Sequence, residues 1–209
     1  MYKNITGIIL SGGKSSRMGE NKSLMKIGDR TVIEHTLLLM QSLFSEVIMI
    51  TNTPDEYQFL NVPLFEDIYK YAGPLAGIHS GLLNSKTEEN FIISCDIPLI
   101  TSEIIEYIIN YNTHHPITVC RADGYIQQLA GKYSKSLIPK IDALLKIEEE
   151  TRDSNQKKRK CKVHSLLNLV GAEIIEAKEL DFYREGIFLN MNRQEDYQII
   201  LSKFNLLPK

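Results

Sequence analysis

The sequence predicts an α/β fold: a Rossmann-like, mostly parallel sheet with helices on both of its faces. Three observations support this class. Short apolar runs alternate with longer amphipathic segments, the apolar runs are rich in β-branched residues, and a glycine-rich turn follows the first run. This alternation is typical of βαβ units, whose strands are parallel and buried on both faces. The length of 209 residues fits one compact domain.

Strands and helices alternate regularly in the first half of the chain. Residues 31–43 carry apolar side chains at the 3.6-residue spacing of a helix that packs on one side. Residues 91–94 form a predicted strand that begins with three consecutive large apolar residues and stops before Asp96. Glu103 lies in the first turn of the next helix, where a carboxylate suits the positive end of the helix dipole. The predicted strands are residues 6–10, 47–51, 62–65 and 91–94, and the predicted helices are residues 31–43, 75–83 and 102–112.

The second half of the chain has a less regular pattern. An Asp123-Gly124 turn between two apolar runs predicts an antiparallel hairpin. Residues 148–162 contain almost no apolar side chain and change from acidic to basic, so we expect an exposed connection there. The predicted strands of this half are residues 117–121, 128–133 and 172–175, and the predicted helices are residues 136–146, 163–169 and 193–204.

Charge and composition argue against several classes of function. Lys and Arg total 24 against 26 Asp and Glu, so no global basic field exists to attract nucleic acid or an anionic membrane. No apolar run approaches the roughly 18–20 residues of a membrane span, and the N-terminus lacks a signal-peptide pattern. The cysteines are far apart and form no Cys-x-x-Cys pair, so we expect reduced thiols. These features predict a cytoplasmic protein that binds neither nucleic acid nor membrane.

The turn after the first predicted strand carries the strongest functional signal. Gly12 and Gly13 follow that strand, and Lys14, Arg17 and Lys22 lie within the next ten residues. Open α/β sheets bind ligands at this edge, where glycine N–H groups can converge on an anion and cations neutralise its charge. The turn therefore predicts a loop that binds the phosphates of a nucleoside triphosphate.

Two common phosphate loops do not fit this turn. A P-loop has the spacing G-x-x-x-x-G-K-[ST], and its first glycine would fall on Ile8 if Gly13 were the second. The dinucleotide fingerprint G-x-G-x-x-G is also absent. The remaining alternative is a tight strand-to-helix turn with no ligand, which the three nearby cations disfavour.

Two aspartates follow later strands of the same half. Asp67 precedes a turn of small residues at positions 73–77, and its carboxylate can accept hydrogen bonds from a ribose hydroxyl or a base edge. Asp96 is a candidate Mg²⁺ ligand, because this ion prefers oxygen and takes only one or two protein carboxylates. Asn52, after the second strand, is a candidate for the base pocket. The alternative for each aspartate is an ordinary loop or capping carboxylate.

These motifs together resemble the molybdenum cofactor guanylyltransferases, within the wider class that includes the sugar-phosphate nucleotidylyltransferases. The resemblance is carried by L-x-G-G-x-x-x-R-M-G-x-x-K at residues 10–22, E-D…G-P-L-A-G at residues 66–77 and the Cys-Asp-x-Pro segment at residues 95–98. A fourth block, N-x-N at residues 190–192, precedes the last helix. The chain departs from the family pattern at Asn21, where relatives commonly carry Asp, and at residues 193–194, where they carry Thr-Pro.

The resemblance implies a fold of the nucleotide-diphospho-sugar transferase type and a set of site residues. Catalysis would rest on Arg17, Lys22 and Asp96, with Mg²⁺ held by Asp96. Asn190 and Asn192 would face the second substrate, although Asn192 could instead be the N-cap of the last helix with Glu195 completing a capping box. The implied GTP-binding residues are Leu10, Ser11, Gly12, Gly13, Lys22, Asp67 and Asp96.

The implied reaction joins GTP and molybdenum-molybdopterin into a guanine dinucleotide cofactor and releases pyrophosphate. Residues 1–112 would form the GTP-binding half and residues 113–209 the acceptor-binding half of one domain. Transient contact with other molybdenum cofactor biosynthesis proteins and with apo-molybdoenzymes is also implied. The alternatives are a cytidylyltransferase, a sugar-phosphate nucleotidylyltransferase of the same fold, or a non-catalytic adaptor that binds nucleotide and pterin.

Overall fold

A computed structural model describes residues 1–12, 21–70, 72–152 and 162–204 of the chain. The first part contains, in order, β1 (Tyr2–Ser11), β2 (Lys26–Ile27), β3 (Arg30–Thr31), α1 (Val32–Leu43), β4 (Phe44–Thr51), β5 (Leu64–Phe65), α2 (Pro74–Asn84), β6 (Glu89–Ser94) and α3 (Ser102–Asn110). The second part contains β7 (Ile117–Ala122), β8 (Tyr125–Ser134), α4 (Ile138–Arg152), α5 (Val163–Val170), β9 (Glu173–Glu176) and α6 (Gln194–Phe204). Short 3₁₀ helices span Lys22–Leu24, Pro54–Leu60, Lys135–Leu137 and Ala177–Glu179.

A seven-stranded sheet with the order β5-β4-β1-β6-β8-β7-β9 forms the centre of the described structure. β1 pairs in parallel with both β4 and β6, and β5 and β9 also join in parallel. β8 is antiparallel to β7, as the Asp123-Gly124 turn predicts, and it is also antiparallel to β6. The predicted Rossmann-like, mostly parallel sheet is therefore confirmed. Because the chain leaves β1 for β4 on one side and returns to β6 on the other, a crevice opens at the carboxyl ends of β1 and β6.

Helices cover both faces of the sheet, as predicted. On one face α1 and α3 bury side chains such as Ile33, Leu37 and Ile104 against the strands. On the other face α2, α4 and α5 bury another set, which includes Leu75 and Leu145. The sequence of α1 also fixes its start, since Thr31 and Glu34 form a capping box.

A third and smaller cluster fastens the C-terminal helix to the first half of the chain. The two-stranded sheet of β2 and β3 lies outside the main sheet, and α6 packs near it. The buried members of the cluster are Ile27, Val32, Leu99, Met191 and Ile200. This packing holds the segment before α6 close to the residues that follow β1.

One sequence expectation is wrong in part. Residues 148–162 were expected to form an exposed connection, but α4 continues to Arg152. The added turn contains three consecutive glutamates, which favour a helix without supplying an apolar face. Leu145 anchors the preceding turn in the core, so the helix can extend into solvent. Residues 153–161 lie outside the described residues.

Candidate active site

The crevice between β1 and β6 brings two predicted site segments together. Leu10 is paired with Ser94, and the Cys95 N–H donates to the Leu10 carbonyl at 3.0 Å. Asp96 therefore follows β6 at the level where Gly12 follows β1. Among the described residues, no atom would lie within 4 Å of a Cβ atom placed on Gly12, so the backbone there is open toward that part of the structure. Gly13 and Arg17 lie outside the described residues.

Asp96 is held in a mostly buried position. The Ser94 hydroxyl donates to its Oδ1 at 2.5 Å, and its backbone carbonyl accepts from the Met191 N–H at 2.8 Å. Burial raises the pKa of the Asp96 carboxyl, and the Ser94 bond, backbone hydrogen bonding and the Lys22 charge oppose that rise. The carboxylate thus lies within the electrostatic reach of Lys22, in an environment that favours an added positive charge.

Lys22 connects the residues after β1 to the segment before α6. Its Nζ donates to the Asn192 carbonyl at 2.8 Å and lies 3.4 Å from Asn192 Oδ1. Because the neighbouring Met191 binds the backbone of Asp96, three predicted site residues meet at this edge: Lys22, Asp96 and Asn192.

Asp67 and Asn52 form a second polar pair at the same edge of the sheet, after β5 and β4. Asn52 Nδ2 donates to Asp67 Oδ2 at 2.7 Å, and Asn52 Oδ1 accepts from the Asp67 N–H at 3.3 Å. Lys70 Nζ also donates to Asn52 Oδ1 at 3.1 Å. Burial raises the pKa of the Asp67 carboxyl, against the Asn52 bond and the Lys70 charge, which lower it.

Small residues of α2 allow this pair to lie against β1. A Cβ atom on Gly77 would lie 3.4 Å from Leu10 Cδ2 and 3.6 Å from Asp67 Oδ1. The G-P-L-A-G turn therefore places the helix start in contact with both the end of β1 and the acidic residue after β5. Gly77 thus lies between Leu10 and Asp67, both of which were predicted from the sequence as site residues.

The segment before α6 differs in detail from the sequence expectation. Asn192 is not the N-cap with Glu195 as its partner. Instead α6 begins at Gln194, and the Asp196 carboxylate accepts from the N–H groups of Asn192 and Arg193 at 2.8 and 2.7 Å. The start of the helix is shifted by one residue, so the third helical position falls on Asp196. The amide of Asn190 donates to the Phe188 carbonyl at 3.2 Å, within its own loop.

A buried tyrosine that the sequence analysis did not single out lies beneath the site. The Tyr57 side chain is 2% exposed, and its hydroxyl contacts Ser11, Asn21 and Ser23. The residue lies in a polar stretch between the predicted strands at residues 47–51 and 62–65, where the sequence shows no periodicity. The sequence carries no local signal for it, because its partners come from distant positions.

Cys95 borders Ser11 but does not have the character of a nucleophile. Burial raises the pKa of its thiol to about 12, so the thiol stays protonated at neutral pH. Its Sγ donates to Ser11 Oγ at 3.5 Å.

Over the described ranges, no cluster of three or more His, Cys, Asp or Glu side chains could hold a metal ion. A magnesium site does not require such a cluster, because water and phosphate oxygens complete its coordination.

Among the helices in the described ranges, none has the length and apolar character of a membrane span.

Comparisons with known proteins agree with this architecture. The chain is 36% identical to a protein of Carboxydothermus hydrogenoformans over 98% of both chains. It is 32% identical to one of Aquifex aeolicus over 94% of this chain and 90% of the other. Both relatives are named "Probable molybdenum cofactor guanylyltransferase".

A solved structure supports the same fold. The molybdopterin-guanine dinucleotide biosynthesis protein A of Archaeoglobus fulgidus aligns with a TM-score of 0.80 at 16% identity, covering 97% of this chain and 100% of the other. Residues 7–160 match the model of the MobA-like NTP transferase domain. The chain therefore belongs to the MobA-like NTP transferase family, among the nucleotidyltransferases named as molybdenum cofactor guanylyltransferases.

Proposed function

We propose that this chain transfers GMP from GTP to molybdenum-molybdopterin, forming a guanine dinucleotide cofactor and pyrophosphate. The observation that carries the proposal is the meeting of Lys22, Asp96 and Asn192 at the carboxyl edge of β1 and β6. A cation, a carboxylate and an amide from separate parts of the chain are the groups needed to hold two phosphorylated substrates side by side. Family membership favours the same activity.

The reaction requires no nucleophile from the protein. A terminal phosphate oxygen of the pterin attacks the α-phosphorus of GTP, a new P–O bond forms, and the bond to the β-phosphate oxygen breaks. Pyrophosphate leaves with the electron pair of that bond. Catalysis of such a step depends on positioning and on neutralising charge, so the raised pKa of the Cys95 thiol is no obstacle.

The residues at the edge supply both requirements. The open backbone at Gly12 leaves room for the phosphates, and Lys22 would neutralise charge on the departing pyrophosphate. Arg17 and Gly13 belong to the same proposed site through the sequence motif. Asn192, with Asn190 beside it, would orient the acceptor, since its loop is fixed to the backbone of Asp96 through Met191.

The residues also fit a divalent cation, which we propose to be Mg²⁺. A buried carboxylate whose negative charge is incompletely compensated gains from a nearby cation, and Asp96 has that environment. When bound, the ion would supply Lewis-acid stabilisation of negative charge on the phosphates. Asp96 would hold it, and Ser94 fixes one oxygen of that carboxylate.

The nucleoside would lie over the start of α2. Asn52 and Asp67 present an amide and a carboxylate beside Leu10 and Gly77, and a carboxylate can accept from the N–H groups of guanine or from ribose hydroxyls. We propose guanine on the ground of family membership, because this pair could equally bind a donor from another base or from the ribose. We further propose that the enzyme acts in the cytoplasm, where it would contact other cofactor biosynthesis proteins and the apo-molybdoenzymes that receive the product.

Pyrophosphate release from the purified chain tests the proposal. We expect release only when GTP, molybdenum-molybdopterin and Mg²⁺ are all present, with the guanine dinucleotide formed in equal amount. Omission of each component in turn is the control. Binding of GTP without pyrophosphate release would indicate an adaptor, and faster release with CTP, UTP or ATP would assign a different nucleotide to the site.

A further inference from the structure

The hydrogen bonds of Tyr57 form a chain with a defined direction. The Ser23 hydroxyl donates to Asn21 Oδ1 at 2.8 Å, so its proton is not available for a second hydrogen bond. The 2.7 Å contact between the Ser23 and Tyr57 hydroxyls is then donated by Tyr57. Ser11 Oγ and Asn21 Nδ2 each donate to the Tyr57 oxygen at 2.8 Å. A phenol has one proton and two acceptor positions, so the hydroxyl is fully used.

This chain of bonds links the two ends of the proposed phosphate loop. Ser11 ends β1 just before the loop, and Asn21 and Ser23 flank Lys22 just after it. On its other side Ser11 accepts from the thiol of Cys95, the residue before Asp96. The Tyr57 hydroxyl therefore lies between the backbone that carries Lys22 and the backbone that carries Asp96.

The position of this hydroxyl is itself fixed by packing. The Tyr57 side chain is 2% exposed and belongs to the core cluster under α1 and α3. Because the core holds the ring in one position, the hydroxyl and the groups bound to it are also held in place. A hydroxyl on a solvent-exposed ring would not constrain its partners in this way. The partners lose their common anchor if the oxygen is removed.

We propose that Tyr57 is a positioning residue of the nucleotide site, whose hydroxyl fixes Ser11, Asn21 and Ser23 and thereby sets where Lys22 lies. This inference rests on the proposed nucleotidyl transfer and adds to it a residue that touches neither substrate. It also accounts for Asn21. The amide donates to Tyr57 and, at 2.5 Å, to Glu56 Oε2, whereas an aspartate here would oppose the Glu56 carboxylate.

The test replaces Tyr57 with Phe, which keeps the ring and removes only the hydroxyl. We expect the KM and the calorimetric Kd for GTP to rise by about tenfold, the usual effect of losing a buried hydrogen-bond partner. The KM for the pterin should change by less than about twofold, because the hydrogen bonds of the Tyr57 hydroxyl within the described residues go to Ser11, Asn21 and Ser23 and not to the segment before α6. Ser23→Ala removes the group that accepts the proton of the Tyr57 hydroxyl, and it should also raise the KM and the Kd for GTP. The rise in the Kd for GTP, expressed as a free energy, should be smaller in the double variant than the sum of the two single effects, because the two residues share a hydrogen bond.

Tyr133→Phe is the matched control. Tyr133 is also fully buried, its hydroxyl donates to the Gln128 carbonyl at 2.5 Å, and it lies in the cluster on the opposite face of the sheet. Its loss should lower the melting temperature and leave the GTP constants unchanged.

Wild-type GTP constants in Tyr57→Phe, or equal changes for GTP and pterin as in a general loss of stability, would overturn the proposal. If Tyr57→Phe does not fold, Ser23→Ala decides in the same way. Failure of the proposed function would appear differently, as wild-type protein that releases no pyrophosphate. The Kd comparison would still decide the role of Tyr57, with whichever nucleoside triphosphate the wild type binds.

Discussion

Asp96 combines a proposed catalytic role with a cost to stability. Because folding raises the pKa of its carboxyl, the ionised form is disfavoured in the folded chain. That cost is fully present once the pH exceeds the folded pKa, and it is absent when the carboxyl is protonated. An amide of the same shape can keep the bond from Ser94 without the charge. The residue is therefore one at which activity and stability should respond in opposite directions.

We expect Asp96→Asn to lose turnover by about 1,000-fold, since a metal ion contributes several kcal/mol to such a transition state. Its melting temperature at neutral pH, measured without divalent metal, should equal or exceed that of the wild type. Asp181→Asn, at an exposed aspartate, is the control and should change neither value. Retained Mg²⁺-dependent turnover in Asp96→Asn would remove this residue from the catalytic site.

The motif residues of the proposed site could be identified from the sequence, but the residues that hold them in place could not. Lys22, Asp67 and Asp96 stand out because charge follows an apolar strand or a glycine turn. Tyr57 has no such context, since its partners are separated from it by 34 to 46 positions. A hydrogen-bond network that assembles across the fold leaves no spacing for sequence analysis to detect.

Among elements, the contact between β1 and α2 determines how closely the proposed base pocket approaches the phosphate loop. A Cβ atom on Gly81 would lie 2.7 Å from Ile8 Cγ2 and 3.2 Å from Ile8 Cδ1. Ile8 is fully buried in β1 and cannot move away at low cost. Just after the same strand, a Cβ atom on Gly12 would meet no atom of the described residues within 4 Å. Gly81 thus serves packing, whereas we propose that Gly12 allows the nucleotide to approach.

We expect Gly81→Ala to lower the free energy of unfolding by about 1–3 kcal/mol, the usual cost of overpacking a core. Gly12→Ala should leave this free energy unchanged or slightly raised, and should weaken GTP binding by about tenfold or more because the methyl group occupies space for phosphate. Urea denaturation and calorimetric titration measure the two quantities. A Gly12→Ala variant that binds GTP normally would show that the phosphates do not approach this backbone.

The existence and type of the elements with a strong apolar pattern were predicted correctly, but the residues at which these elements begin and end were not. The run at residues 91–94 forms the C-terminal end of β6, but the strand begins earlier, at Glu89. The last turn of α4 was not predicted because it has no apolar residues at the helical spacing. Hydrogen bonding and helix propensity extend elements beyond the residues that touch the core, and hydrophobic periodicity reports only those residues.

For the whole molecule, the important relation is between the nucleotide side and the acceptor side. Met191 belongs to the third cluster and is fully buried among side chains from β2, α1 and α6. Its backbone N–H binds the Asp96 carbonyl, and the next residue binds Lys22. This cluster and these hydrogen bonds together hold the C-terminal segment at the site. Such long-range packing could not be predicted from the motifs, although the N-x-N block marked the segment.

We expect Met191→Ala to lower the free energy of unfolding by about 2–5 kcal/mol, the range for truncating a buried side chain. Because the residues on either side are the proposed acceptor contacts, the KM for the pterin should also rise by several-fold, more than the KM for GTP. Leu145→Ala, a fully buried truncation in α4 on the opposite face of the sheet, should cost similar stability without changing either KM. Urea denaturation and two-substrate kinetics on both variants make the comparison. Identical kinetics in the two variants would mean that the third cluster only stabilises the fold, and that the acceptor is held by other residues.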